Sequence, residues 1–338
     1  MVSGDLRKLA AVRYGFDADT LRFTAGGREA SRQFYSFRKD NQPYILRCTR
    51  CHAGQIGQTR AEMDWLRYLA GKGVAVPRPL EADSGDLAVL AEENGETCVF
   101  SAYTMAEGRL WDKNDPDLWN ESVFHGWGRV MGDLHRETKG YRPAEGAETR
   151  PAFTSIICES VMAFPSINAA AEELLGEIAA LPKGPDSYGL IHYDLNPYNF
   201  LIDGERVHVF DFDDCAYAWY SLDIGVALYT GLWFGRRNDA GHDFTNEIIR
   251  HFLRGYLSAN PLGDDWLKKI PMFMRLCQIA KFSCAYRRKD PEDGHQKERM
   301  RNIENNVLFT GCEIDGSLFR NDTCKPNVRI SGGALCPR

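Results

Sequence analysis

The sequence predicts an α+β protein of two lobes, a small antiparallel sheet with one helix followed by a larger, mainly helical lobe. Three observations predict it. The first hundred residues alternate short runs rich in Phe, Tyr and Ile with turn residues. After Met105, Glu107 and Gly108 open a loop, and longer helical patterns take over. Short strand patterns then return between Gly189 and Asp214, inside the helical part. The division expected is 1–105, 106–310 and an irregular tail over 311–338.

The elements follow in order. Gln33 to Lys39 and Pro43 to Thr49 are β-like runs, and the turn residues Asp40, Asn41 and Gln42 join them as a hairpin. A helical pattern runs from about Ile56 to Leu69, ended by Gly71 and Gly73 and followed by Pro77 and Pro79. Leu87 to Ala91 and Thr97 to Tyr103 read as strands about a turn containing Asn94 and Gly95. These four strands belong to a small sheet expected to have five. Past the boundary, Phe124, Trp127, Met131 and Leu134 recur at helical spacing and form the buried stripe of a helix. His135, near its end, is expected to pack or cap instead of binding a ligand. Ile224 to Phe234 and Thr245 to Leu257 return to helix. The tail from Gly311 to Arg338, rich in Gly, Asn, Asp, Pro and Ser, is given no function.

Composition removes several classes. With 338 residues, 43% hydrophobic and 26% charged, the chain matches ordinary globular usage and can bury a sizeable core. A formal charge of -6 argues against a general nucleic-acid binder, which needs clustered Lys and Arg on one face. Met1 to Ala10 carries Asp5, Arg7 and Lys8, and no stretch approaches a membrane span, so neither a signal peptide nor an anchor is expected and the reading is cytoplasmic. The ten cysteines are scattered through strand and helix patterns and are expected to be mostly free thiols. Cys48, Cys51 and His52 spell C-x-x-C-H, but no second C-x-x-C completes a zinc site, and haem attachment belongs to exported proteins. The match is read as chance.

The chemistry sits in GLIHYDLNPYNFLIDGERVHVFDFDD, from Gly189 to Asp214. His192, Asp194 and Asn199 form H-x-D-x-x-x-x-N, and Asp211 begins D-F-D after two strands about the Asp203 and Gly204 turn. Phosphoryl transfer from ATP needs in-line positioning, cations on the phosphates and a carboxylate facing the acceptor hydroxyl. Asp194 suits the carboxylate, while Asn199 and Asp211 offer the hard oxygen ligands that Mg²⁺ takes beside phosphate. A hairpin of Phe200 to Ile202 with Val207 to Phe210 is expected to bring Asn199 and Asp211 to the same open end. Single Asp and Asn residues are common in turns and caps, so the weight lies on the whole set in this order.

That segment resembles the catalytic core of the aminoglycoside phosphotransferase and choline kinase superfamily, and more closely its homoserine kinase type II branch. DFDDCAYAWYSLDIGVALY, from Asp211 to Tyr229, and WGRVMGDLHRETKGYRP, from Trp127 to Pro143, carry the closer likeness, which covers about Leu21 to Asn306. The resemblance implies a protein-kinase-like fold, with Asp194 as catalytic base and Asn199 and Asp211 as magnesium ligands. It also implies ATP entering between the lobes near Tyr103 to Glu107, with Tyr103 and Met105 among its contacts. Gly26 and Gly27 stand where a turn covers phosphates, since glycine lets backbone amides approach closely. Arg47 stands where the family usually has a phosphate-contacting Lys. Glu62, on the apolar stripe of its helix with Trp65, Leu66 and Leu69, wants a buried partner, and Arg47 is the candidate. Asp223 in SLDIG is expected to fix the catalytic loop. Asp213 and Asp214 are left open between metal, cationic substrate and cap, and Trp219 and Tyr220 between acceptor pocket and core.

The function expected is an ATP- and Mg²⁺-dependent phosphotransferase acting on the hydroxyl of a small molecule, an amino alcohol, amino acid or aminoglycoside-like compound. Two alternatives stand beside it. A serine/threonine protein kinase of the same fold is implied by the likeness to a bacterial group near the homoserine kinase branch that phosphorylates proteins, but no A-P-E activation segment follows Asp211. A catalytically silent nucleotide-binding or structural module is supported only by Arg in place of Lys at position 47.

Overall fold

The structure is a computed structural model that describes residues 4–26, 32–50, 55–93, 96–153, 165–235, 242–287, 311–313 and 329–331. The expected turns at Gly27 and at Asn94 and Gly95, and the Cys51 and His52 part of C-x-x-C-H, lie outside the described residues. The described chain forms two compact units. Unit 1 comprises Met1–Gly108, Gly140–Arg150 and His208–Asp213; unit 2 comprises Arg109–Lys139, Pro151–Val207 and Asp214–Arg338.

Unit 1 starts with a helix the sequence reading did not anticipate, α1 (Gly4–Tyr14), which buries Leu6, Ala10 and Tyr14 from one face. The strands are β1 (Arg22–Gly26), β2 (Arg32–Lys39), β3 (Gln42–Arg50), β4 (Pro79–Leu80), β5 (Val89–Glu93) and β6 (Glu96–Thr104). They form one sheet in the order β1-β2-β3-β6-β4, with β5 also paired to β6. The sheet therefore has six strands instead of five. Beyond the four strands located in the sequence stand β1 and the two-residue β4, whose Pro79 and Leu80 pair with Tyr103 and Ala102 and are too short to leave a sequence pattern.

The β2–β3 connection shows why the hairpin forms where it does. Lys39 pairs with Gln42, so Gln42 belongs to the strand, and only Asp40 and Asn41 make the turn. Both have positive φ, 50° and 61°, the left-handed geometry that Asn and Asp tolerate and that matches strand twist. Tyr35, Phe37, Leu46, Cys48, Phe100 and Ala102 build a core with α1, and the Tyr14 hydroxyl donates to the Phe100 carbonyl at 3.1 Å. Cys48, first residue of the haem-like motif, is thus a packed core thiol. The helix of this unit, α2 (Ile56–Gly71), buries Glu62, Trp65, Leu66 and Leu69 on one stripe.

Unit 2 contains β7 (Arg109–Leu110), α3 (Glu121–Thr138), α4 (Pro165–Ala179), β8 (Tyr188–Ile191), β9 (Phe200–Asp203), β11 (Ala216–Trp219), α5 (Tyr220–Gly235), α6 (His242–Ala259), α7 (Asp264–Leu267) and α8 (Ile270–Arg287). β10 (Arg206–Val209) neighbours β9 in a sheet of order β10-β9-β7. Asn120 starts α3 by accepting from the Ser122 and Val123 amides at 2.9 and 3.1 Å, satisfying two donors that a helix start leaves open. Trp127 is the centre of the core, in contact with Phe200 and Phe252 at ring distances of 5.2 and 5.1 Å. Trp219 and Tyr220 are fully packed in the core, which decides between the two fates open to them.

Helices α3 and α6 approach at backbone distance. A Cβ on Gly128 would lie 1.8 Å from the Phe252 carbonyl oxygen, and one on Gly255 would lie 2.0 Å from that of His125. Only glycine allows this approach. Within 311–338, expected to be irregular, β12 (Gly311–Glu313) pairs antiparallel with β13 (Arg329–Ser331).

Candidate active site

Unit 1 supplies a buried charge cluster centred on Arg47. β3 and β6 set Arg47 opposite Ser101, and the Arg47 Nε donates to Ser101 Oγ at 3.1 Å. The guanidinium fork then meets Glu62 of α2 in two parallel bonds, Nη1 to Oε1 and Nη2 to Oε2, both 2.8 Å, with each side chain 3% exposed. This is the pairing the sequence suggested. Arg47 Nη1 also donates to Asp213 Oδ1, and Arg32 Nη1 reaches Asp213 Oδ2 at 2.7 Å. Arg150 donates to the Asp213 backbone carbonyl.

Asp213 thus anchors two arginines, a role not among those left open for it. Burial pulls the Arg47 pKa down, but the Asp213 and Glu62 charges outweigh it and hold the group well above its ordinary value. Burial pushes the Glu62 carboxyl up, with Arg47 opposing. A planar fork satisfies both carboxylates and Ser101 at once, and a lysine ammonium could not do so with the same geometry. Asp213 and Arg32 were missed as members of this cluster because nothing periodic connects residues so far apart in sequence.

Other expected nucleotide-side residues are placed as follows. Gly26 ends β1 opposite Gln33. Gly27 lies outside the described residues. Tyr103 sits on β6 opposite Ile45, and burial pushes its phenol far above the ordinary range. Met105 follows β6, is 44% exposed, and its amide donates to the Pro43 carbonyl at 3.1 Å. Asp211 has φ of 65°, a left-handed conformation rare for a residue other than glycine, and next to it Phe212 packs edge-on against Trp65.

Unit 2 holds the loop that carries Asp194 and Asn199. β8 ends at Ile191, and the loop that follows is shaped by side chains folding back on backbone. Asn196 Oδ1 accepts from the Tyr198 amide at 2.8 Å, and the Asn196 amide donates to the Asp194 carbonyl at 2.7 Å. Asn199 Nδ2 donates to the same carbonyl at 2.8 Å and lies 3.3 Å from Asp194 Oδ2. Asp194 and Asn199 are therefore adjacent. The loop is tied from below by Asp223 of α5, whose Oδ2 accepts from the His192 amide at 2.9 Å and whose Oδ1 accepts from the Tyr193 amide at 2.8 Å. Asp223 does the fixing expected of it.

Asn199 is oriented to suit a hard cation. Its Nδ2 faces Asp194, which turns the carbonyl oxygen Oδ1 to the other side, where it can act as a ligand. Among the described residues no group of three or more His, Cys, Asp or Glu is placed to hold a metal ion. A magnesium ion held by one or two protein oxygens with the remainder from phosphate and water fits such a donor set.

A model of the family described as "Phosphotransferase enzyme family" matches residues 21–268, and the chain belongs to that family. It is 34% identical over 322 residues to amicoumacin kinase of Bacillus subtilis (strain 168), covering 90% of this chain and 93% of that one. Among solved structures it resembles amicoumacin kinase hAmiN in complex with AMP-PNP, Ca2+ and Ami, with a TM-score of 0.79 at 27% identity over 91% of this chain and 93% of the other. A microcompartment-associated aminopropanol kinase shares the fold, with a TM-score of 0.70 at 20% identity over 91% and 96%. The chain has their kinase-like α+β fold, and it is an enzyme that transfers a phosphoryl group to a hydroxyl acceptor.

Among the described residues no helix is long and apolar enough to cross a membrane.

Proposed function

We propose that this phosphotransferase moves the γ-phosphoryl group of Mg-ATP to a hydroxyl of a small molecule bearing an amine, with amicoumacin the first acceptor to test. The observation that carries the reading is the 34% identity to amicoumacin kinase, which extends over nearly the whole of both chains. Residues 1–105 serve as the nucleotide-binding part and 106–310 as the catalytic and acceptor part. Asp194 accepts the hydroxyl proton as the oxygen attacks phosphorus, and Asn199 and Asp211 hold the magnesium, which neutralises the phosphates. Gly26, Gly27, Tyr103 and Met105 belong to the nucleotide site. Arg47 and Glu62 organise it. Of the five N–H donors of an arginine, four of those on Arg47 are taken by Ser101, Glu62 and Asp213, so its part toward phosphate is mainly to set the local charge and to position its neighbours. The enzyme works in the cytoplasm, where ATP is available.

The test is Mg²⁺-dependent ADP release with amicoumacin, amino alcohols, amino acids, aminoglycosides and protein acceptors side by side. Turnover with one of the small molecules is expected. Release stimulated only by a protein acceptor would replace this reading with that of a protein kinase.

A further inference from the structure

A chain of buried polar side chains in unit 2 runs from the end of α6 to the catalytic loop. Asn260 Nδ2 donates to the Tyr256 hydroxyl at 2.8 Å, and that hydroxyl lies 2.9 Å from His135 Nδ1. On the other side of the ring, His135 Nε2 is 3.0 Å from Asp223 Oδ2, the oxygen that also accepts from the His192 amide. Asn260, Tyr256, His135 and Asp223 are all completely buried. Of these four residues only Asp223 has been given a part in shaping the catalytic loop.

The direction of each bond is fixed from both ends. Because the Tyr256 oxygen receives an Asn260 N–H, its own proton is available for His135 Nδ1. Asp223 offers oxygens that already accept two backbone amides, so the bond from His135 Nε2 requires the proton to be on that nitrogen. Burial lowers the His135 pKa against the pull of Asp223, which favours the neutral ring with a single proton. Tyr220 stacks on the imidazole at 4.5 Å and 22°, fixing its plane. The close helix pair gives the relay a stiff frame, since Gly132 of α3 would carry a Cβ only 2.6 Å from the Tyr256 carbonyl.

What this frame holds is a strained residue. Tyr193, immediately before Asp194, has φ of 69°. That region costs an L-residue roughly 1–2 kcal/mol, and such conformations persist where surrounding bonds over-determine them. Asp223 Oδ1 accepting the Tyr193 amide is one of those bonds.

We propose that His135, Tyr256 and Asn260 are positioning residues for phosphoryl transfer: α6 locks His135 in its Nε2–H tautomer, and this tautomer holds the Asp223 carboxylate under the His192 and Tyr193 amides, and so sets Asp194. The link to turnover rests on Asp194 being the base, while the tautomer and the loop can be read without any acceptor.

The experiment uses the full chain labelled with ¹⁵N. Long-range ¹H–¹⁵N correlation should show His135 neutral and protonated at Nε2 in the parent, and hydrogen exchange should show a protected Tyr193 amide. Tyr256→Phe keeps the ring and removes the one oxygen that addresses Nδ1. It should free the ring to tilt away from Asp223 while the proton stays on Nε2, and speed Tyr193 exchange roughly tenfold relative to the Leu228 amide inside α5, since a buried polar group that loses its partner weakens the bonds around it. His135→Gln, which retains a donor toward Asp223, should keep more of the protection than His135→Leu. With an acceptor that turns over, Tyr256→Phe should lower kcat about tenfold and leave KM for ATP within about twofold. An Nδ1–H tautomer or an imidazolium in the parent would overturn the proposal. So would unchanged relative Tyr193 exchange in Tyr256→Phe. If Asp194→Asn proved fully active while the tautomer and exchange results held, the base assignment would fail and the relay would stand.

Discussion

At the scale of single residues, the two acidic positions that matter most are held in different ways, and their substitutions separate accordingly. Asp194 is fixed largely through its backbone carbonyl, which accepts from Asn199 Nδ2 and the Asn196 amide. Asp194→Asn keeps those bonds, so the loop and Mg-ATP binding should survive. Turnover should fall by about 10²- to 10⁴-fold, the usual value of general-base assistance. Asp211→Asn instead removes a negative charge proposed to face the metal and should weaken ATP binding in the presence of Mg²⁺ only. Calorimetry with ATP, with and without Mg²⁺, checks both, and parental turnover of Asp194→Asn would reject its role as base. Arg47 makes a further prediction, about stability. It neutralises Glu62 and Asp213 together, so Arg47→Ala leaves two carboxylates near one another without their shared cation. Breaking a buried pair by removing one partner costs about 3–5 kcal/mol, and replacing both partners by apolar groups costs much less. Urea unfolding of Arg47→Ala should show a loss in that range, and Arg47→Met with Glu62→Leu a smaller one. Equal losses would mean that the ion pair itself, and not the stranded charge, carries the effect.

At the scale of elements, the α3–α6 pair joins packing to the site, because it sets His135 against Tyr256. Gly128→Ala would drive a methyl into the Phe252 carbonyl at 1.8 Å, and the backbone cannot yield as a flexible side chain would. Overpacking of this kind costs about 1–3 kcal/mol or more. A lowered thermal midpoint is expected, together with faster Tyr193 exchange as the helices separate; a variant as stable as the parent would show that the helices are free to move apart. The α3 stripe was legible in the sequence, since Phe124, Trp127, Met131 and Leu134 carry a strong helical period. The glycine contact was not, because Gly128 and Gly255 are 127 positions apart and only the fold makes them neighbours. Local signals likewise gave the β2–β3 hairpin and the Arg47–Glu62 pair. They did not give α1, whose buried face rests on Leu6, Ala10 and Tyr14 among polar neighbours, although their spacing of four was a signal within reach. Nor did they give Asp213 on Arg47, or Tyr256 and Asn260 behind His135. Each of those contacts joins residues on separate elements, where no periodicity or short motif connects them.

At the scale of the whole molecule, protonation of buried imidazoles should make the protein lose stability in mild acid. Burial lowers the pKa of His135 below its ordinary value, and partial burial with nearby arginines does the same for the half-buried His125 and His251. For such a group the unfolded chain binds the proton first as pH falls. Stability is therefore fully present above the unfolded value of about 6.5 and is lost progressively below it, until the folded-state pKa is passed. His135 contributes the steepest part, at most about one proton or ~1.4 kcal/mol per pH unit, while the more exposed His125 and His251 contribute less through solvent screening. Glu62 works with the opposite sign, since a carboxyl whose pKa burial raises takes up a proton more readily in the folded chain, and it offsets part of the loss toward the lower end of the range. Urea midpoints measured from pH 7.5 to pH 5 should fall as pH falls. His135→Gln replaces the titrating ring by an amide that stays neutral, so its midpoint should depend less steeply on pH over the same range, even if it starts lower. Parallel pH profiles for the parent and this variant would show that His135 takes up no proton on unfolding in that window, and that burial does not hold it neutral in the folded protein.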